Sequence, residues 1–432
     1  MSFFLFFVFL IIGGTLFLIF YKYYKDILNP LGIFSIVWFF SIGISQLMLS
    51  NIQHPWTNLT WFTVLVSSVS FIIGGLSYSF FFATRSRFPP KIKLISHYSK
   101  IRLKTAIVLL FIISLLAYLF EVWQAGGVPL FSEARIGAYM GFGIRFVHYL
   151  TVSSILVCIL VYLHRKLFPN DRKLLLNIIF IVSLFIIVSL LASGQLLTIL
   201  IGIFVIKYYL SEKKLKLKNF IWLIIFSILV FTLLTGFIRS SQPDVTYIKQ
   251  IGKPTINIPD RLSSIFLPYL YISTSFENLQ LEILNREKFY YGSQTTFPIW
   301  AFTQLKNYFQ PDYYITPEGF NVGTYLRPYY IDFGLPGVLI LSFLLGLFIS
   351  ILYHRLRSKP TILKMLVYSF CVYGLTIVFF ANIFSRPGFW YFLILFIIID
   401  LYCRKNLTSQ KTLAVLTKSH SKLVEKKYKH SN

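Results

Sequence analysis

Eleven apolar runs, each close to the ~20 residues that a helix needs to cross a hydrocarbon core, dictate what this chain can fold into. They fall at 3–20, 32–49, 60–82, 105–123, 146–163, 175–192, 196–210, 219–237, 334–353, 364–381 and 388–403. Inside a bilayer each backbone N–H and C=O must find a partner within the chain, so runs of this length form helices. Those at 196–210 and 388–403 are short and extend into their flanks. Composition agrees: 56% of the 432 residues are apolar and 13% charged, against roughly 25% charged in a soluble domain. A soluble fold has no interior large enough for 46 Phe and 28 Tyr. The expectation is an all-α polytopic membrane protein with about 11 (10–12) transmembrane helices and one long loop.

A net charge of +26 invites a nucleic-acid reading, but its distribution argues otherwise. The alternate connections 21–31, 83–104, 164–174, 207–218, 354–364 and 404–432 hold 30 of the 41 Lys and Arg. The other connections hold 11, eight of them in the one long loop. This is the positive-inside pattern, so topology accounts for the charge and no nucleic acid is expected. It places the N-terminus outside and the basic tail, KSHSKLVEKKYKH, inside, where it anchors to an anionic leaflet. The first run, MSFFLFFVFLIIGG, lacks a preceding basic region and reads as a span rather than a signal peptide. Cys158, Cys371 and Cys403 lie in or at the end of apolar runs, with no CxxC or Cys/His cluster to suggest a metal site or disulfide framework.

Four regions follow: N-terminal spans at 1–237, a large extracytoplasmic loop at 238–333, C-terminal spans at 334–403 and a cytoplasmic tail at 404–432. The loop balances eight basic against eight acidic residues and carries eleven tyrosines. Within it, LSSIFLPYLYISTSFENLQLEIL (262–284) reads as a helix too polar to span, lying on or dipping into the membrane.

Ionisable residues on the outer side are the informative set, because charge near a membrane core is costly and persists for a use. Arg135, Arg145, Arg239, Arg327 and Arg386 recur where spans meet the outer face, against the positive-inside trend. Guanidinium forks match phosphate oxygens bidentately and stay charged at any working pH, so an anionic ligand such as a lipid diphosphate would use several. Snorkelling to lipid headgroups or local ion pairing is the competing role. Glu133 and Asp332 stand two and five residues from Arg135 and Arg327, so each reads as a general base or as a pairing partner. Glu277, on the apolar loop helix, sits where its pKa could rise into a useful range. His148, at a span start, reads as a proton acceptor or as a structural histidine. No clustered carboxylate/His motif offers metal ligands and no P-loop offers a nucleotide site; no metal or cofactor is expected.

Three segments resemble the Wzy-like oligosaccharide repeat-unit polymerases, the O-antigen and capsule polymerases of bacteria: GGVPLFSEAR (126–135), TSFENLQ (274–280) and NVGTYLRPYYIDFGLPGVLILSFLLGL (321–347). In the last, Asn321 and Tyr330 join Arg327 as candidate glycan or diphosphate contacts. The resemblance implies a multi-span, GT-C-like, metal-independent glycosyltransferase in the bacterial cytoplasmic membrane. Its substrate would be an undecaprenyl-diphosphate-linked oligosaccharide, polymerised at the outer face, with a flippase and a chain-length regulator as pathway partners. Arg135, Arg239 and Arg327 would then hold the donor diphosphate, and a carboxylate or His148 would accept the proton of the attacking hydroxyl. Two other transfer roles compete, an O-antigen-ligase-like transferase and a lipid-linked-oligosaccharide flippase. Ligase relatives usually carry a histidine in the long loop, and 238–333 holds none. A flippase would spread charge through the midplane of many helices, whereas here it gathers at the outer ends. A scaffolding protein would leave the outer arginines unexplained.

Overall fold

The computed structural model describes residues 2–81, 98–132, 138, 141–171, 173–211, 246–259, 263–301, 311–316 and 320–404. Among them the secondary structure is helical, with only isolated bridges at Ser50–Pro254 and Tyr98–Arg404 in place of strands. The spans are α1 (Ser2–Tyr24), α2 (Pro30–Ser45), α3 (Asn58–Phe81), α4 (Lys100–Ala125), α5 (Val147–Val152) running into α6 (Ser154–Leu167), α7 (Leu174–Ser189) and α8 (Ser193–Leu210). The loop region holds α9 (Thr246–Gly252), α10 (Ser263–Asn285) and α11 (Phe297–Trp300). After it come α12 (Arg327–Ser358), α13 (Ile362–Thr376) and α14 (Pro387–Cys403). Ten of the eleven expected spans coincide with these helices, six of them long and apolar enough to cross a membrane by themselves. The eleventh, 219–237, lies outside the described residues.

Helix contacts follow small residues, as expected where lipid removes the hydrophobic incentive to associate and close backbone approach must supply dispersion instead. The α3–α12 seam is the clearest case. A Cβ on Gly74 would collide with the Phe343 carbonyl, and one on Gly346 with the Phe71 carbonyl. The outward faces stay apolar: Phe3, Phe7, Leu116, Ile181 and Ile398 are all exposed, as lipid contacts require.

Helix α12 is two pieces. Gly334 takes φ 61, ψ −148, and a Cβ there would press into the Phe289 ring. Glycine pays the least for that conformation. The break, followed by Pro336, separates a first piece that buries Arg327, Tyr329, Tyr330, Ile331 and Asp332 from the apolar run that the sequence starts at 334.

Helix α10 departs from expectation. It forms over the expected residues, but 273–280 are buried on every side, so protein covers the segment instead of a lipid surface. Phe276 packs against Trp38 and Trp56, each with ring centroids 5.2 Å away, and Trp38 in turn donates to Ser68 at 2.8 Å. Of the polar residues that made it a poor span, Glu277 binds a loop, while Ser273, Thr274 and Ser275 bond carbonyls of the helix itself.

Candidate functional site

The described parts of connections 46–57, 126–146, 246–326 and 377–386 meet at one end of the bundle, the loop end, tied by backbone bonds such as Asn51 N to Lys253 O (2.8 Å) and Tyr325 N to Val378 O (2.8 Å). Helix α10 organises it with two polar faces. On one face, at helical spacing, Tyr269, Glu277 and Gln280 reach 46–57. Leu49 N donates to Tyr269 Oη at 2.7 Å, and Thr57 N to Gln280 Oε1 at 3.2 Å. Both Glu277 oxygens serve His54, accepting its Nδ1–H at 2.7 Å and its backbone N–H at 3.1 Å. Burial pushes the Glu277 carboxyl up from the ordinary carboxylate value, against the pull of those bonds from His54.

The other face holds Asn278 and Glu282, one turn apart. Asn278 Nδ2 donates to the carbonyls of Phe320 and Val322, both at 2.6 Å, and its oxygen accepts Thr316 N at 2.9 Å. Glu282, fully buried, accepts from Arg286 Nε (2.9 Å) and Nη2 (2.6 Å), and from Arg327 Nε (3.0 Å) and Nη2 (2.8 Å). Arg327 also donates to Tyr314 O at 3.1 Å and stands over the Tyr313 ring, 4.8 Å from its centroid. Its guanidinium is thereby committed to holding Tyr313 and Tyr314 against α10 and α12. Asp332 is similarly engaged: it accepts Gln294 N (2.9 Å), Thr295 N (2.6 Å) and the Thr295 hydroxyl (2.6 Å), capping the turn before α11. Tyr330 is buried edge-on to Phe289, and Asn321 is exposed between the two residues whose carbonyls Asn278 holds.

A second group forms where α5 meets α14. His148 Nδ1 lies 3.2 and 3.3 Å from the two oxygens of Glu121, which is 1% exposed one turn before the end of α4. Glu121 also accepts Ile144 N at 3.0 Å. Arg145, exposed, donates to Ala301 O and lies over the Phe146 ring. Four residues on, Tyr149 packs on Tyr391 with centroids 5.4 Å apart and approaches Gly388, two residues past the exposed Arg386. Arg145 and Arg386 therefore flank one junction. The turn entering it is unusual: Gly143 has φ 117 and Phe146 φ 71, a conformation costing a bulky residue roughly 1–3 kcal/mol.

Of the residues selected from sequence, Arg145 and His148 share one turn beside the start of α14, which Arg386 immediately precedes; Glu277, Asp332, Arg327, Asn321 and Tyr330 gather around α10 and the start of α12. Glu133, Arg135 and Arg239 lie outside the described residues. Sequence reasoning passed over His54, Glu121, Glu282 and Arg286. Glu121 carried a signal, an acid within an apolar run; His54 sits in a short connection with no motif around it. Among the described residues no three of His, Cys, Asp and Glu come together.

No curated protein and no solved structure matches the chain. Residues 32–261, more than half its length, match the family described as "Putative O-antigen polymerase". That stretch runs from α2 to the threshold of α10 and includes Glu121, Arg145 and His148. A helical bundle with lipid-facing apolar surfaces is the architecture such a membrane enzyme requires, and the chain belongs to the O-antigen polymerase family.

Proposed function

We propose that this protein is a glycosyltransferase that joins undecaprenyl-diphosphate-linked oligosaccharide repeat units into a surface polysaccharide at the outer face of the cytoplasmic membrane. The observation that supports the reading most is the α5–α14 junction, where the exposed Arg145 stands three residues from a carboxylate-backed histidine and the exposed Arg386 immediately precedes α14. Arg145 and Arg386 hold the donor diphosphate, a role that the resemblance in sequence also implies for Arg135 and Arg239. Fixed guanidinium charge neutralises the leaving diphosphate as it develops and supplies the electrostatic part of catalysis without a metal. Arg327 supports the loop that covers the glycan. A flippase and a chain-length regulator act before and alongside it.

The test is purified protein in lipid vesicles with a synthetic undecaprenyl-diphosphate-linked repeat unit. Wild type yields a ladder of longer lipid-linked glycans without added nucleotide sugar. Arg145→Ala and Arg386→Ala each slow extension by about 10²-fold, the usual effect of removing one donor to a developing anion. Substrate that crosses the bilayer in a protein-dependent way yet stays unextended would replace this reading with transport.

A further inference from the structure

The loop end contains two histidines backed by buried glutamates, His54 with Glu277 and His148 with Glu121. Considered alone, His54 has the stronger support: its bond is shorter, 2.7 against 3.2 Å, and its side chain is 70% exposed against 36%. Proximity decides the other way. A proton acceptor must sit within hydrogen-bond reach of the hydroxyl that attacks the anomeric carbon, and that carbon is bonded directly to the diphosphate. His148 lies three residues from Arg145, and the next residue, Tyr149, touches the α14 start that carries Arg386. His54 belongs to the 46–57 connection, packed against α10.

We infer that His148 is the general base of the transfer and that Glu121, from within the span α4, is the residue that positions it. This rests on the polymerase reading above. With Nδ1–H donated to Glu121, the lone pair at Nε2 is available. The acceptor sugar's hydroxyl oxygen bonds to the anomeric carbon, while the bond from that carbon to the phosphate oxygen breaks and its electron pair leaves with the lipid diphosphate. The hydroxyl proton passes to Nε2 and then to water. Glu121 fixes the tautomer and ring orientation and balances the imidazolium that forms, without touching substrate. The turn is built for this placement. Gly143 leaves room for the ring, since a Cβ there would stand 3.1 Å from His148 Nδ1, and Ile144 N anchors the same carboxylate. The strained Phe146 holds the chain between Arg145 and His148 in an unusual conformation. Glu121 of α4 is the charged group bonded to His148; Arg145 and Tyr149 are near it in sequence, Tyr118 reaches it through the Phe142 ring, and Tyr391 of α14 packs on Tyr149.

The experiment measures extension rate per folded molecule against pH in vesicles for wild type, His148→Ala, Glu121→Gln and His54→Ala. Wild-type rate rises with pH as the imidazole loses its proton. His148→Ala falls by about 10²-fold or more, the usual share of a general base, and free imidazole restores part of it. Glu121→Gln keeps the side-chain volume, lowers the plateau, and moves the acid limb to lower pH because the imidazolium has lost its counter-charge. A purely structural Glu121 would change the yield of folded protein and leave that limb in place, overturning its positioning role. His54→Ala retains the wild-type profile. If His54→Ala abolishes extension while His148→Ala retains it, the assignment is overturned in favour of the other pair. If wild type itself extends nothing, the polymerase reading fails and takes this inference with it.

Discussion

Buried carboxylates hold both ends of the bundle together, but they do it with different partners. At the loop end Glu282 lies between two guanidiniums, and Glu277 and Glu121 each back an imidazole. At the opposite end, which the sequence reads as cytoplasmic, phenols stand among the main donors to the buried Asp26 and Asp400. Asp26 accepts from Tyr353 (2.9 Å), Tyr209 (3.3 Å) and Leu28 N (2.9 Å), and Arg357 donates to the Tyr353 hydroxyl at 2.7 Å. Asp400 accepts Tyr98 at 2.6 Å and Leu363 N at 3.1 Å, with Arg404 on its other oxygen at 3.0 Å. Neutral donors around a fixed carboxylate pin helices in place; Asp26 alone joins the α1–α2 connection to α8 and α12. Carboxylates backing imidazoles do something else. They use a buried charge to aim a partly exposed, titratable group, an arrangement a mere fastener does not need.

The comparison is sharpest at Glu282. Its removal leaves Arg286 and Arg327 buried without a counter-charge, and breaking a buried pair this way costs about 3–5 kcal/mol. Glu282→Ala therefore gives the largest fall in thermal midpoint in detergent, and Glu282→Gln a substantial one, since an amide supplies one acceptor and no charge. A Glu282→Ala protein that melts with wild type would show that the ion cluster does not hold the loop. Asp26→Asn probes the other kind of anchor. One carbonyl oxygen still accepts Leu28 N, but the charge-assisted bonds from the phenols weaken, a loss of about 2 kcal/mol. Its extension rate per folded molecule stays at the wild-type level, because the network is remote from the arginine junction. A selective loss of rate in Asp26→Asn would break the division between a fastening end and a working end.

Much of this plan was legible because a bilayer makes a one-dimensional demand. Hydropathy placed ten helices that the structure contains, and the start of the apolar run at 334 coincides with the Gly334 break. Helix α10 was readable as a helix, yet its setting was not. The residues that cover it, in 46–57, 311–316 and 320–322, stand about 220 and 40 residues away in sequence, and nothing local to TSFENLQ says that its Glu, Asn and Gln will meet loop backbone instead of headgroups. Selecting arginines by position found the exposed Arg145 and Arg386 and also Arg327, whose burial against Glu282 only the fold reveals. His54 acquires its meaning only from a partner far off in the chain, whereas Glu121 was marked as an acid in an apolar run but its pairing with His148 is set by the fold.

The smallest effect separates the two ends on the matter of exposure. Arg404 is 49% exposed over a carboxylate that is 1% exposed, so it resembles a surface ion pair from one side and a buried one from the other. Tyr98 and Leu363 still donate to Asp400 when the guanidinium is gone, and water reaches the vacated oxygen. Arg404→Ala therefore costs roughly 0–1 kcal/mol, the range of exposed pairs, and half that or less at high salt. Removing the phenol instead, with Tyr98→Phe, strips a donor from the buried side and lowers the thermal midpoint more, although no charge is lost. The reverse order would mean that guanidinium charge anchors this end as it does the loop end, and the contrast between phenol and ion-pair anchoring would collapse.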